Sequence, residues 1–486
     1  MDEDVTIKTQ AACRRTAKVR QFMAAFLVSL LGCCSGMSVA WVAPMQPLLM
    51  SEHPPVGTEP MSEDIIAWLA SVNYLGNAGI WFWGLATDRV GRKAAACFCS
   101  ISYIVCYVVT LFARDYVWLI VARLSSGVGI GGISLAVPLF IAEMAQDDLR
   151  GFFGSFGVIF FNVGVVYTYV AGTCLSYRAF TICCLIIPII FVISFVWMPE
   201  TPIFLWKNGE IEKAEQSLLW YRGGDSAETT RTLESYKLFP KERNKSMKSL
   251  KSLVSTKGNT KASIIGLILM TAFPLSGYLT ISTFAVSIFD ACGSSISSYQ
   301  SAITMATVQM ISAFFCSFAS DRFGRKGLLL ASLLTIALFL AILGAFLVLS
   351  VKDNLNFISR LTPILCLSIC MAAFAAGLGP VAYIIMSEIF TPDTRGCAMS
   401  VLSLYMCIVA FTMNKSFPSM KELFRLEGCF FFYSFCCCIF ALFFYFYLPE
   451  TKGLPQSEIL QLLNEENITI ASSAKETEKL NKCSEL

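Results

Sequence analysis

TDRVGRK occupies Thr87–Lys93, and a near copy, SDRFGRK, occupies Ser320–Lys326. Both are charged islands in an apolar chain: 56% of the 486 residues are hydrophobic and only 15% are charged. A soluble domain carries about 25% charge. Apolar runs of about 20 residues cross a bilayer as helices. Such runs lie at roughly 21–43, 64–84, 94–113, 116–140, 152–172, 178–198, 262–290, 298–319, 327–350, 361–388, 396–418 and 426–448. The two motifs fall between the second and third runs and between the eighth and ninth.

Two further pairs surround them. AEMAQDDLRG (Ala142–Gly151) recurs as SEIFTPDTRG (Ser387–Gly396), each with Glu, six residues, then Arg-Gly. PET recurs at Pro199–Thr201 and Pro449–Thr451. The offsets are 233, 245 and 250 residues, in the same order and in the matching loop of each half. The reading is an all-α membrane protein of twelve transmembrane helices in two parallel six-helix bundles. The layout is a cytoplasmic N-terminus (1–20), a first bundle (21–198), a polar linker (199–261), a second bundle (262–448) and a tail (449–486). Doubled bundles hold their substrate near the midplane and alternate access around it.

Charge orients the layout. Of 37 Lys and Arg, 29 fall on the side holding both termini, the linker and the Asp-Arg loops; 7 fall on the other, and Arg123 lies within a span. The rich side is cytoplasmic by the positive-inside rule. On that side the motif chemistry fits a gate. Gly91 and Gly324 permit a tight loop. Asp88 and Asp321 stand where a helix ends, able to cap a neighbouring helix N-terminus. Arg89, Arg92, Arg322 and Arg325 can fork onto carboxylates, for which Glu143 and Glu388 are the nearest; Arg150 and Arg395 form a second set. Such pairs would close the inner mouth as the halves approach. The alternative is that these charges only anchor topology.

Other chemistry is excluded. The single His, His53, lies between Glu52 and Pro54-Pro55, leaving no His-based nucleophile activator, proton relay or metal cage. Most of the 20 Cys lie inside apolar runs, as small lipid-compatible side chains. There is no phosphate-binding Gly-rich loop. No cofactor, metal or nucleic-acid partner is expected, and the protein is not read as an enzyme. Its surroundings are the lipid bilayer and a small solute; the sequence leaves the oligomeric state open.

With these motifs stand ARLSSGVGIGG (Ala122–Gly132), MPETPIFL (Met198–Leu205), GLGPVAYIIMSEIF (Gly377–Phe390) and LPETKGLP (Leu448–Pro455). Together, over residues 25–460, they resemble the sugar porter family of the major facilitator superfamily, nearest to the arthropod facilitated trehalose-transporter-like group. The resemblance implies short helices in the linker, a plasma-membrane location and facilitated transport of a sugar such as glucose or trehalose. It also implies that Arg123, in the family's Arg-x3-Gly-x-Gly element, ties into the cytoplasmic network.

The family's amide-rich sugar site is largely rewritten. Its positions hold Val158, Phe273, Pro274, Leu279, Ala382, Tyr383 and Met406, and only Gln309 keeps its amide. The candidate substrate residues are therefore Gln309, Tyr383, Ser276, Tyr278 and Asn162. This leaves two alternatives: a facilitator of a less polar solute, or a non-conducting nutrient sensor. Span one reads GCCSG (Gly32–Gly36) where proton-coupled relatives carry Asp, so passive transport is expected. Smaller signals are a glycosylation triplet at Asn414, a basic run at Lys241–Ser252 and a Glu-x3-Leu-Leu sorting pattern at Glu458–Leu463.

Overall fold

The computed structural model describes residues 2–237, 253–294, 296–350, 361–454 and 456–464, and among them the secondary structure is helical throughout. Ten helices among the described residues are long and apolar enough to cross a membrane. The last of these, Thr394–Tyr447, holds two of the expected spans: Arg425 breaks it with φ 60°, ψ 174°. The helix Ser298–Phe323 supplies the remaining expected span.

Lipid-facing stripes explain why so many apolar side chains remain exposed. On the helix Arg92–Leu111, Phe98, Ile101, Val105 and Val108 are exposed while Ala95, Ala96, Cys99, Tyr103 and Cys106 are buried. This is an amphipathic spacing with lipid, rather than water, as the outer solvent.

The chain divides into two compact units. Unit 1 comprises 1–41, 53–60 and 72–245; unit 2 comprises 42–52, 61–71 and 246–486. The division differs from the expected cut in two ways. Most of the linker belongs to unit 1, where Pro202–Lys207, Ile211–Tyr221 and Ser226–Lys237 form the short helices the resemblance implied. Parts of the first two spans belong to unit 2.

In unit 1 the first helix begins at Asp2, well before the apolar run. Its lower part docks on the linker: Gln21 Nε2 donates to the Tyr221 carbonyl at 3.0 Å, and Gln21 Oε1 accepts from the Gln146 amide at 3.0 Å. Higher up, the first helix meets Phe156–Cys174 backbone to backbone. A Cβ on Gly36 would lie 1.9 Å from the Phe161 carbonyl oxygen, so only glycine allows the contact.

In unit 2 the helix Lys257–Leu275 stops at Ser276-Gly277, with Gly277 at φ 81°, and resumes as Tyr278–Thr283. Thr362–Ala376 is likewise interrupted at Gly377 before Leu378–Ile389. These two breaks bring Tyr278 and Tyr383, two of the candidate substrate residues, to the same side chain, Phe273. The helix Gln456–Asn464 buries Ile459, Leu462 and Leu463. Both leucines of the sorting pattern are thus core contacts, not a free signal. The Lys241–Ser252 run lies outside the described residues.

Candidate functional site

Gln309 is 2% exposed and donates through Nε2 to the Tyr278 hydroxyl at 3.2 Å. Tyr278 stacks on Phe374 with centroids 3.6 Å apart and planes 5° apart. Phe273 meets Phe374 edge-on at 4.9 Å, Tyr278 at 6.0 Å and Tyr383 at 6.1 Å. Tyr383 reaches the Met406 sulfur at 3.8 Å. Four residues that sequence reading treated separately, Gln309, Tyr278, Tyr383 and the substituted Phe273, therefore make one cluster. Phe374 completes it; nothing in its apolar run had marked it out.

The break at Gly277 sets this geometry, and Ser276 serves the break. Its hydroxyl donates to the Phe273 carbonyl at 2.8 Å and accepts from the Tyr278 amide at 3.4 Å. Asn162 belongs to unit 1, where Nδ2 donates to the Val158 carbonyl at 2.9 Å, a bond within its own helix. The cluster in unit 2 is therefore a set of mutually packed aromatic rings with a single amide.

At the Asp-Arg loop of unit 1, Arg92 is buried. It pairs with Glu143 at 2.9 Å, donates to the Thr87 carbonyl at 3.0 Å and lies over the Phe204 ring at 4.9 Å. Thr201 Oγ1 donates to Glu143 Oε2. Asp88 reaches Arg92 at 3.4 Å but is 74% exposed. Arg89 is exposed and has no ion pair among the described residues. Among the described residues Arg150 forms an ion pair only with Asp147, at 2.8 Å on the surface.

The loop of unit 2 follows the same plan. Arg325 pairs with Glu388 at 3.4 Å. Glu388 Oε2 and Thr451 Oγ1 are buried without hydrogen-bond partners among the described residues, as is Arg395 Nε. The side chains of Asp321 and Arg322 are not among those described.

The expected capping role of Asp88 goes to another residue. Gly91 (φ 107°) starts the helix Arg92–Leu111, and the acid facing that helix is Glu200, whose oxygens accept from the Lys93 amide at 3.0 and 3.1 Å and from the Thr201 amide at 2.9 Å. Asp88, in the last turn of the preceding helix, points to solvent instead. Glu450 repeats the arrangement with the amides of Arg325 at 2.9 Å and Lys326 at 3.2 Å. A carboxylate at a helix N-terminus is favoured by the dipole and satisfies orphan donors. Burial pushes the Glu200 carboxyl up, while these amides and Arg92 oppose the shift. The repeated PET was the available signal for both glutamates; its sequence gave no role.

Arg123 also departs from expectation. It stands 20 residues from Glu143 on one helix, Tyr116–Met144, about 30 Å at 1.5 Å per residue. It donates to the Ser38 carbonyl at 2.6 Å and lies over the Trp41 ring at 5.6 Å. It is therefore a structural tie near the opposite end of the span, not part of the motif-end network. Asn73 supports the same region, accepting from the Ser126 hydroxyl at 3.0 Å. Asn414 is 0% exposed, so the outer glycosylation triplet is closed to modification.

This architecture is that of the major facilitator superfamily. The chain aligns with the E. coli xylose transporter XylE, in its partially occluded inward-open form, with a TM-score of 0.73 at 19% identity, covering 90% of this chain and 100% of that one. Residues 24–463 match the "Sugar (and other) transporter" family model, and the chain belongs to that family. It is 29% identical to the facilitated trehalose transporter Tret1 of Polypedilum vanderplanki, over 90% of this chain and 87% of that protein. It is also 29% identical to mouse solute carrier family 2, facilitated glucose transporter member 8, over 89% and 92%. It spans 54% of the longer Tret1 of Aedes aegypti.

Proposed function

We propose that the protein is a facilitative uniporter for a sugar such as glucose or trehalose, working by alternating access in the plasma membrane with both termini cytoplasmic. The observation that carries this is the site itself: in a chain matched by the sugar transporter family over residues 24–463, the one retained amide, Gln309, is hydrogen-bonded to Tyr278 at 3.2 Å beside Phe273, Phe374 and Tyr383. Aromatic faces accept the C–H faces of a sugar ring, and the Gln309–Tyr278 pair is the polar anchor for its hydroxyls. The family is one of transporters rather than enzymes. The absence of an acidic residue from Gly32–Gly36 supports transport without proton coupling.

The test is uptake of labelled glucose and trehalose into proteoliposomes at two pH values. Expected is saturable, pH-independent uptake whose KM rises about three- to tenfold in Gln309→Ala, the loss of roughly one hydrogen bond. No saturable uptake of either sugar by correctly folded protein would overturn the reading in favour of a less polar cargo or a sensor.

A further inference from the structure

The helix Glu63–Asn77, the start of span two, belongs to unit 2 as far as residue 71 and to unit 1 from Val72 onward. Its unit 2 portion is tied to span eleven, on the arm of Pro392–Tyr447 that precedes the break at Arg425. The contacts form a ladder. At the first turn Lys421 bonds Glu63 at 3.0 Å, and beside it Lys415 bonds Asp64. One turn on, the Trp68 ring lies 4.9 Å under the Lys415 ammonium and meets Phe411 edge-on at 5.8 Å. Asp64 and Trp68 are four residues apart, as are Phe411 and Lys415, so each pair shares one strip of its helix.

The three repeated motifs supply none of these residues. In the doubled layout span two corresponds to span eight, and span eleven to span five. The equivalent ends, 169–176 and 294–301, contain no Asp, Glu, Lys or Arg. The ladder is therefore a feature of one pairing and not of the repeat. Its charges are also unlike the buried Arg92–Glu143 pair. The side chains of Lys415 and Asp64 are 24% and 74% exposed, and those of Lys421 and Glu63 are 39% and 47% exposed. Exposed pairs are weak and are screened by salt. Such pairs add little to stability, but they suit a contact that opens and closes. Glu63 and Asp64 also favour the first turn of their own helix through its dipole. That role calls for no lysine and does not set Lys415 over Trp68.

We propose that this ladder is a clasp, which holds the start of span two shut against span eleven and opens in each transport cycle. It lies at the end of span two away from the Asp-Arg loop and rests on the alternating-access reading. Opening exchanges two ion pairs for hydration and frees the segment 61–71 from the helix that holds it. Ionic strength then sets how readily that end opens.

The test uses the full-length protein in detergent, where both ends are reachable. Glu63, Lys421 and Ser287 line one hollow with room for about one water, so Ser287→Cys places a thiol behind the first ion pair. Its labelling by a small maleimide is followed, without sugar, above the background of the protein lacking it. Expected is labelling about three- to tenfold faster when Glu63→Gln and Asp64→Asn are added. Raising salt from about 0.01 M to about 1 M should speed labelling of the parent and leave the neutralised protein nearly unchanged. Lys415→Met with Lys421→Met removes the same pairs from the other side and should match, an effect that a dipole role of the acids would not produce. Exchanging the charges, Asp64→Lys with Lys415→Asp, should return labelling toward the parent rate. Unchanged labelling in the folded variants, or the same salt response with and without the acids, overturns the clasp. Sugar uptake is measured in proteoliposomes alongside. Uptake with unchanged labelling overturns the clasp alone; faster labelling with no uptake even by the wild type keeps the clasp and overturns the sugar-transport reading; neither overturns both.

Discussion

In unit 1 the side chains of Arg92 and Glu143 are 4% and 7% exposed, 2.9 Å apart, and Thr201 completes the coordination of Glu143. In unit 2 the matching Arg325 and Glu388 are 17% and 24% exposed and 3.4 Å apart, while Glu388 Oε2 and Thr451 Oγ1 each lack a partner among the described residues. The motifs are nearly identical, yet one copy is a closed, desolvated network and the other is looser and wetter. Part of the difference is local: Phe204 covers Arg92, whereas the residue at the same place after the second PET is Leu454. A ring offers the guanidinium a π face; a leucine does not. Equal motifs therefore do not imply equal energetic weight. The first cluster serves integrity, and the second retains polar atoms free to change partners.

The largest expected effect separates the two directly. Glu143→Ala leaves the Arg92 charge buried and uncompensated, at a cost of about 3–5 kcal/mol. Glu388→Ala should cost about 1 kcal/mol or less, because its partner is better hydrated. Thermal unfolding in detergent reads both; equal shifts would break the comparison.

The second prediction is a control in which the halves should agree. A Cβ at Gly91 would lie 2.4 Å from Glu200 Oε2, and one at Gly324 would lie 2.7 Å from Glu450 Oε2, both at positive φ. Gly91→Ala and Gly324→Ala should each lose about 1–3 kcal/mol by backbone strain and a displaced cap. Tolerance at either site would deny that the carboxylate cap fixes the loop.

A third pair of substitutions sharpens the comparison, and its second member, at Thr451, should show the smallest effect of all. Thr201→Val removes a donor from Glu143 and should cost about 1.5–3 kcal/mol. Thr451→Val removes a hydroxyl that has no partner among the described residues, and its melting temperature should stay at or above that of the wild type. A marked loss in Thr451→Val would mean that the second network is as tightly bonded as the first.

Much of this was legible from the chain. The apolar runs gave the spans because backbone groups in lipid must bond within their own helix, and three motif pairs at near-constant offset gave the doubling. The pairing of Arg92 with Glu143 and of Arg325 with Glu388 followed from opposite charge at span ends. Capping by Glu200 and Glu450 did not, since the acids reach helices about 107 and 125 residues away in sequence. Nor did the true place of Arg123, whose family motif says nothing about which end of its span meets Ser38 and Trp41.

By itself the sequence determined the solvent of this protein, its number of spans and its duplication, since these depend on length, hydropathy and repetition along one dimension. Only the tertiary structure decided what the substitutions at the positions of the family's sugar site amount to. Phe273, Tyr278, Phe374 and Tyr383 come from four helical segments and become one cluster because helices break at Gly277 and Gly377. The same holds for Gln46 Oε1 and the amide atoms of Asn414, which are buried without hydrogen-bond partners among the described residues. Whether a buried polar atom is satisfied depends on neighbours supplied by distant segments, and only packing assigns those neighbours.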